Sequence, residues 1–352
     1  MRTTSTRATT LPYFWYTDPQ LLAREQERIF RRRWQYVGHL GQVPEPGCLA
    51  VARAGDVPVL LVRNSHGDVR AFLNVCRHRG MRLVVADAKR ATIQCPYHAW
   101  TYDLDGRLRS APRSGSEPDF DPEALGLISL RVDCWGPFVF VNPDRDAAPL
   151  AGTLGELPNL VASAGVDVDA LRFRVRSASS YAANWKICCE NFLECYHCQV
   201  AHPSLTEVLD VSEEAYRLDE ATWYSSQFGA VAENWSGGFD PRGPVGHGQF
   251  HFLYPNLTIN IVPGSPNLSI GPVIPEAPDR TSRFLDYFFS PDAPESWIES
   301  YLTWDDGVGK EDAALVERVH QGVRSGMLDR GTLFRSERLI RHFDRLVEED
   351  LE

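Results

Sequence analysis

Two short fragments carry the most concentrated chemistry in the chain, Cys76-Arg77-His78 and Cys95-Pro96-Tyr97-His98. Each offers one thiolate and one imidazole. A two-iron, two-sulfur cluster needs that set when two cysteines hold one iron and two histidines hold the other, and neutral imidazoles raise its potential above that of an all-thiolate cluster. A structural zinc site also takes two Cys and two His, but zinc fingers pair like ligands locally, whereas here unlike ligands are paired. Chance proximity of buried cysteines and hydrogen-bonded histidines is the remaining reading, and the doubled motif weighs against it.

A second group lies in CCENFLECYHCQVAHP, residues 188–203. On a helix, Glu190, Glu194 and His197 fall at i, i+4 and i+7 and share one side. His202 precedes Pro203, which biases it out of helical geometry and lets it turn back towards the same point. Two imidazoles and one carboxylate make a facial triad with open positions, the arrangement suited to mononuclear iron(II) and oxygen. The spacing alone leaves the carboxylate open. A di-iron helical bundle is the rival, because Glu194-x-x-His197 and Glu317-x-x-His320 are both Glu-x-x-His motifs. That architecture needs four long helices, and the chain between the motifs is full of Pro, Gly and short β runs such as HFLYPNLTINIVPG.

The elements that must position these groups follow from hydrophobic periodicity. Residues 18–34 place Leu21, Leu22, Ile29, Phe30 and Trp34 at helical spacing behind Asp18-Pro19, so residues 1–36 are predicted as a helical segment packing on the catalytic domain. Residues 37–150 break into short alternating or apolar runs punctuated by Gly, Pro and Asn turns, the pattern of a small all-β domain. A Pro, Gly and Ala-rich stretch then marks a boundary near 150. Residues 151–352 open with a strand, run into the helix-like NWKICCENFLECYHC, show several β runs between Tyr216 and Ser290, and end in predicted helices near 294–304, 311–325 and 332–349. The fold class is α+β.

Bulk properties exclude several functions. The net charge of -11 argues against nucleic acid, and Arg31 to Arg33 is the one dense basic run. No targeting sequence opens the chain and no apolar run is long enough for a bilayer, so no membrane partner and a cytoplasmic location are expected. Eight cysteines in 352 residues are not a small disulfide framework. Cys195-x-x-Cys198 has thioredoxin-like spacing but no surrounding βαβ pattern, and reads as core packing.

NVCRHRG and CPYHAWTYDLDGRL together resemble the Rieske domain of the Rieske non-haem iron oxygenases, large-subunit type, and ENFLECYHCQVAH is similar to the mononuclear-iron motif of the same family. The resemblance covers nearly the whole chain. It implies a Rieske all-β domain followed by a helix-grip catalytic domain, an antiparallel sheet wrapped by helices. It also implies a [2Fe-2S] cluster on Cys76, His78, Cys95 and His98, and iron(II) on His197, His202 and an Asp from far downstream. Among Asp305, Asp306, Glu311 and Asp312, helical phase favours Asp312, which shares a face with Leu315, Val316, Val319 and Val323 while Glu311 turns about 100° away. Asp305 and Asp306 precede Gly307 and Gly309, which are expected to break the helix, and read as capping or solvated.

In this family the acidic residue three before the first iron histidine, here Glu194, bridges to a Rieske histidine of the neighbouring subunit in a homotrimer. Most members carry Asp there; Glu resembles the subgroup acting on glycine betaine, carnitine and proline betaine. The implied function is oxygenation with O2, by electrons from NAD(P)H through a flavin/iron-sulfur reductase or a ferredoxin, of a small quaternary ammonium substrate, giving N-demethylation or carbon-nitrogen cleavage. Aromatic residues between Trp223 and Tyr254 are available to face such a cation. Hydroxylation of an aromatic or natural-product substrate is the alternative within the family, and an electron-transfer Rieske protein without oxygenase activity is the alternative outside it.

Overall fold

The structure, a computed structural model, describes residues 8–233, 235 and 238–352. The chain divides into two compact units, Phe30–Leu150 and the combination of Met1–Ile29 with Ala151–Glu352. Among the described residues no helix is long and apolar enough to cross a membrane.

The smaller unit contains ten strands: β1 (Gln35–His39), β2 (Cys48–Ala54), β3 (Val57–Arg63), β4 (Val69–Leu73), β5 (Ala88–Lys89), β6 (Ile93–Gln94), β7 (Thr101–Tyr102), β8 (Leu108–Ser110), β9 (Ser129–Trp135) and β10 (Phe138–Asn142). Seven form a sheet in the order β1-β10-β9-β4-β3-β2-β5, and β6-β7-β8 form a second one. The run Val59-Leu60-Leu61-Val62 is wholly buried because β3 is covered on both faces. Side chains alternate along a strand. Leu60 and Val62 therefore join Cys76, Cys95 and Trp100 in one core, while Val59 and Leu61 join Val37 and Val139 in another. A fully buried Leu or Val contributes about 1.5–3 kcal/mol, so this strand ties the sheet to the loops that carry the cysteines.

Among the described residues the larger unit has eight further strands: β11 (Arg172–Tyr181), β12 (Leu209–Asp210), β13 (Arg217–Glu220), β14 (Tyr224–Val231), β15 (His247–Leu253), β16 (Leu257–Ile261), β17 (Asn267–Ala277) and β18 (Arg280–Phe289). They form one antiparallel sheet, β11-β18-β17-β16-β15-β14-β12, with β13 added on β14. The principal helices of this unit are α1 (Pro19–Glu25), α2 (Trp185–Phe192), α3 (Glu295–Val323) and α4 (Arg338–Leu351). Asp18 caps α1 by accepting from Gln20 N at 2.8 Å, and α1 widens into a π-type turn over Gln26–Phe30. Glu25 is fully buried, accepts from Trp185 Nε1 at 2.8 Å and pairs with Lys186.

The expected break at Gly307 and Gly309 does not occur: α3 is one continuous helix of 29 residues. A glycine costs a helix interior about 1 kcal/mol relative to alanine. The buried stripe of Trp297, Ile298, Tyr301, Trp304, Val316 and Val323 outweighs that cost.

Candidate functional site

In the smaller unit, the two predicted ligand loops repeat one backbone arrangement. Cys76 N donates to Met81 O and Cys95 N to Trp100 O, both at 2.8 Å; Gly80 N returns to Cys76 O and Ala99 N to Cys95 O, both at 3.1 Å. The residue four beyond each cysteine is left-handed, Gly80 at φ 73° and Ala99 at φ 56°. Two like loops thus face each other. Cys76 and Cys95 are buried, and burial, with Cys95 nearby, raises the Cys76 thiol. His78 and His98 stand at the outer end, with ring centroids 4.6 Å apart and His78 stacked on Trp100. Thiols inside and imidazoles outside suit a cluster with one sulfur-held and one nitrogen-held iron.

In the larger unit, α2 ends at Phe192, so Glu194 and His197 do not continue the helix that carries Glu190. Three elements bring the ligand atoms together. His197 starts a helical turn over Cys198–Ala201; His202, at φ −123° and ψ 72°, separates it from the next turn; Asp312 comes from α3. His197 Nε2 lies 3.1 Å from His202 Nε2 and 3.6 Å from Asp312 Oδ1, and His202 Nε2 is 3.0 Å from Asp312 Oδ1. Three donors at right angles on bonds of about 2.1 Å would be about 3.0 Å apart, so the triangle is the size of a metal ion. Among the described residues it is the one group of three or more such donors with ligand atoms within 4.8 Å of one another.

The outer nitrogens of both histidines are held by carboxylates. Glu194 Oε1 bonds His197 Nδ1, and Glu311 Oε2 lies 2.8 Å from His202 Nδ1. Such partners fix ring orientation and raise ligand basicity. Asn191 Nδ2 donates to Asp312 Oδ1 at 2.7 Å. Burial works to raise the Asp312 carboxyl, but hydrogen bonds from His197 and His202 hold it well below the usual carboxylate range. For His197 the desolvating effect of burial is overcome by Asp312 and Glu194, which bring it up to about 9. The donor set thus gathers positive charge, the electrostatic demand a cation meets.

Sequence reasoning weighed Glu311 only as an iron ligand and missed its contact with His202, and it missed Asn191 altogether. Successive helical residues are about 100° apart, which excludes Glu311 from the ligand position yet lets it reach the opposite nitrogen of the same imidazole. Asp305 is half-buried and no cap: it lies in the interior of α3 and accepts from Tyr287 Oη at 2.5 Å. Glu317 Oε1 accepts from Ala182 N at 3.0 Å, and His320 is buried with neither ring nitrogen bonded. The second Glu-x-x-His motif therefore does not join the first. Cys195 and Cys198 pack on the hydrophobic core as expected and also form a disulfide, with Cα atoms 4.9 Å apart.

Glu190 turns away from the triad and accepts from Tyr16 Oη at 2.7 Å. Burial pushes its carboxyl up to about 7 from 4.5, against the Tyr16 hydrogen bond and the Lys186 charge. The native state then holds this proton more tightly than the unfolded chain. Its contribution to stability is complete below about pH 4.5 and lost as pH rises through about 7. Glu190→Gln keeps an acceptor for Tyr16, and is expected to stabilise the fold at pH 8 by up to about 3 kcal/mol with no gain at pH 4.5. Urea unfolding of both proteins at the two pH values checks this.

A cavity of about 380 Å³ opens on the triad and is walled by the sheet, α2 and α3. Alternation aims Arg283, Leu285 and Tyr287 of β18 and Thr258 and Asn260 of β16 into it, and α3 adds Trp304 and Asp305. Of the aromatic residues between Trp223 and Tyr254, Phe250 is the one among its lining residues. Trp223 and Tyr254 stack on each other instead, and Phe252 packs against Phe343 of α4.

Residues 33–128 match the Rieske [2Fe-2S] domain, and residues 168–352 match the ring hydroxylating alpha subunit catalytic domain. The chain belongs to the Rieske ring-hydroxylating oxygenase family. This oxygenase is 34% identical over 328 residues to choline monooxygenase of Amaranthus tricolor, covering 90% of this chain and 72% of that one. It is 30% identical over 351 residues to the carnitine monooxygenase oxygenase subunit of Escherichia coli, covering 97% and 93%. The crystal structure of the quaternary ammonium Rieske monooxygenase CntA with L-carnitine superposes with a TM-score of 0.85 at 28% identity, over 98% and 96% of the two chains. Naphthalene 1,2-dioxygenase from Rhodococcus sp. shares the fold, with a TM-score of 0.80 at 19% identity over 97% of this chain and 94% of that one. The oxygenase uses the cofactors of its family, a Rieske [2Fe-2S] cluster and a mononuclear iron, with electrons supplied by a reductase.

Tyr102 Oη lies 3.3 Å from Cys76 Sγ and accepts from Arg77 N at 3.1 Å. Hydrogen bonds to ligand sulfur raise the potential of an iron-sulfur centre. Tyr102→Phe is expected to lower it by on the order of 50 mV, the one-electron equivalent of about 1 kcal/mol, measured by a spectroscopic redox titration.

Proposed function

We propose that the protein is the oxygenase component of a monooxygenase acting on a small quaternary ammonium compound, hydroxylating carbon beside the cationic nitrogen and leading to N-demethylation or carbon-nitrogen cleavage. The observation that carries this reading is the cavity on the triad, where aromatic Phe250 and Trp304 share the wall with the acidic side chains of Glu194 and Asp305. A cation taken from water needs such surroundings, because aromatic faces and carboxylates replace its hydration. The choline and carnitine monooxygenases to which the chain is similar support the same substrate class.

In this reading Cys76 and Cys95 hold one iron of the cluster, His78 and His98 the other, and His197, His202 and Asp312 hold the mononuclear iron. Iron bound there supplies oxygen activation, with the cluster as electron store. The chain's own residues supply the rest. Glu194 and Glu311 keep each imidazole Nε2 aimed inwards, Asn191 fixes the Asp312 carboxylate, and the sheet wall holds substrate against the triad. Glu194 also bridges to a Rieske histidine of a neighbouring subunit in a homotrimer, and electrons arrive from NAD(P)H through a flavin/iron-sulfur reductase or a ferredoxin.

The test is substrate-dependent NADH consumption and formaldehyde release with a generic reductase, across a panel of quaternary ammonium compounds and a panel of aromatic ones. Release from at least one ammonium compound is expected. Silence from all of them, with turnover of an aromatic compound, would replace this reading with ring hydroxylation.

A further inference from the structure

Arg283 has surroundings that a structural arginine would not explain. It lies on β18 and faces the cavity that holds the triad. Its guanidinium is surrounded by hydroxyls: one terminal nitrogen donates to Thr258 Oγ1 at 3.2 Å, and Tyr181 and Tyr287 are its other close neighbours. Nε is buried and has no acceptor. Among the described residues no carboxylate lies within 4.0 Å of it. Asp305, the carboxylate that acts on it from further off, is itself held by Tyr287.

Removing a guanidinium from water without an ion-pair partner costs several kcal/mol, and an unused buried donor adds to that cost. A ligand that brings an anion supplies the missing ion-pair partner. Arg presents its two terminal nitrogens as a planar fork that matches a carboxylate.

We propose that Arg283 anchors a carboxylate of the substrate, so that the preferred substrate is a zwitterion, with a quaternary ammonium group directed at the triad and a carboxylate at the β18 wall. Trp304, on the α3 side of the cavity, offers an aromatic face to the cationic end. The proposal rests on the quaternary ammonium reading and narrows it, since choline-like substrates have no anionic end.

The experiment uses metal-replete enzyme with a generic reductase and compares N,N,N-trimethylglycine, L-carnitine and γ-butyrobetaine with their methyl esters, with choline and with tetramethylammonium. KM for each acid is expected to be about 10- to 100-fold below that of its ester, the range of a hydrogen bond to a charged group, with kcat changing less. Arg283→Gln is expected to raise KM for the acids and bring the acid-to-ester ratio near one; Arg283→Lys is expected to restore part of it. Esters or choline used as well as the acids by the unaltered enzyme would overturn the anchor while leaving the ammonium reading intact. Turnover of no ammonium compound would overturn both. Because the ester comparison needs no variant, it decides the matter even if Arg283→Gln fails to fold.

Discussion

Asp312→Ala is expected to leave a chain with two irons and two acid-labile sulfides, an unchanged cluster spectrum and no detectable product. The unaltered protein is expected to carry three irons, two in the cluster of the smaller unit and one at the triad. Asp312 supplies the anionic corner of the donor triangle, 3.0 Å from His202 Nε2 and 3.6 Å from His197 Nε2. Removing one charged donor of three costs metal affinity on the order of 10³-fold or more. The Cys76, His78, Cys95 and His98 loops lie in the other compact unit and have their own backbone hydrogen bonds, so the loss should be confined to one iron. Iron and sulfide analysis beside the visible spectrum checks this. Three irons with retained turnover in the variant would remove Asp312 from the site and return attention to Glu311.

The second large effect belongs to Glu194. Its Oε1 engages His197 Nδ1 while Oε2 accepts from His197 N at 3.2 Å. A carboxylate has room for further donors, which the bridge to a neighbouring subunit would use. Glu194→Ala is expected to keep all three irons and to lower turnover by about 10²-fold or more. A stopped-flow measurement distinguishes the two roles of this residue. If Glu194 carries the electron path, the chemically reduced cluster of the variant stays reduced after mixing with substrate and oxygen. If it merely orients His197, the cluster reoxidises and product still forms slowly. Glu194→Gln keeps an acceptor without the charge and should lie between the two. Full turnover in Glu194→Ala would end both roles.

The α+β architecture, the two cysteine-histidine loops and the nearness of His197 to His202 were legible in the chain because each depends on short-range information. A cysteine and a histidine two or three positions apart on one loop declare their chemistry wherever that loop is placed. His202 before Pro203 leaves the helix for reasons confined to two residues.

Tertiary structure decided what depends on how one element is rotated against another. Helical phase points to Asp312 once a downstream Asp is sought, but Glu311 finds its place only because α3 lies beside His202 and both nitrogens of that ring are within reach. Glu190 shares an apparent helical face with His197 in the sequence, yet α2 stops at Phe192 and sends it to Tyr16. Gly307 and Gly309 predict a break that the buried stripe of α3 overrides, and that continuity carries Asp305 into the cavity wall. Arg283 looks like any arginine on a strand until the cavity walls are assembled around it. Its meaning lies in the carboxylates that are not beside it, and local sequence cannot encode such a relation because desolvation depends on everything that surrounds a charge in space.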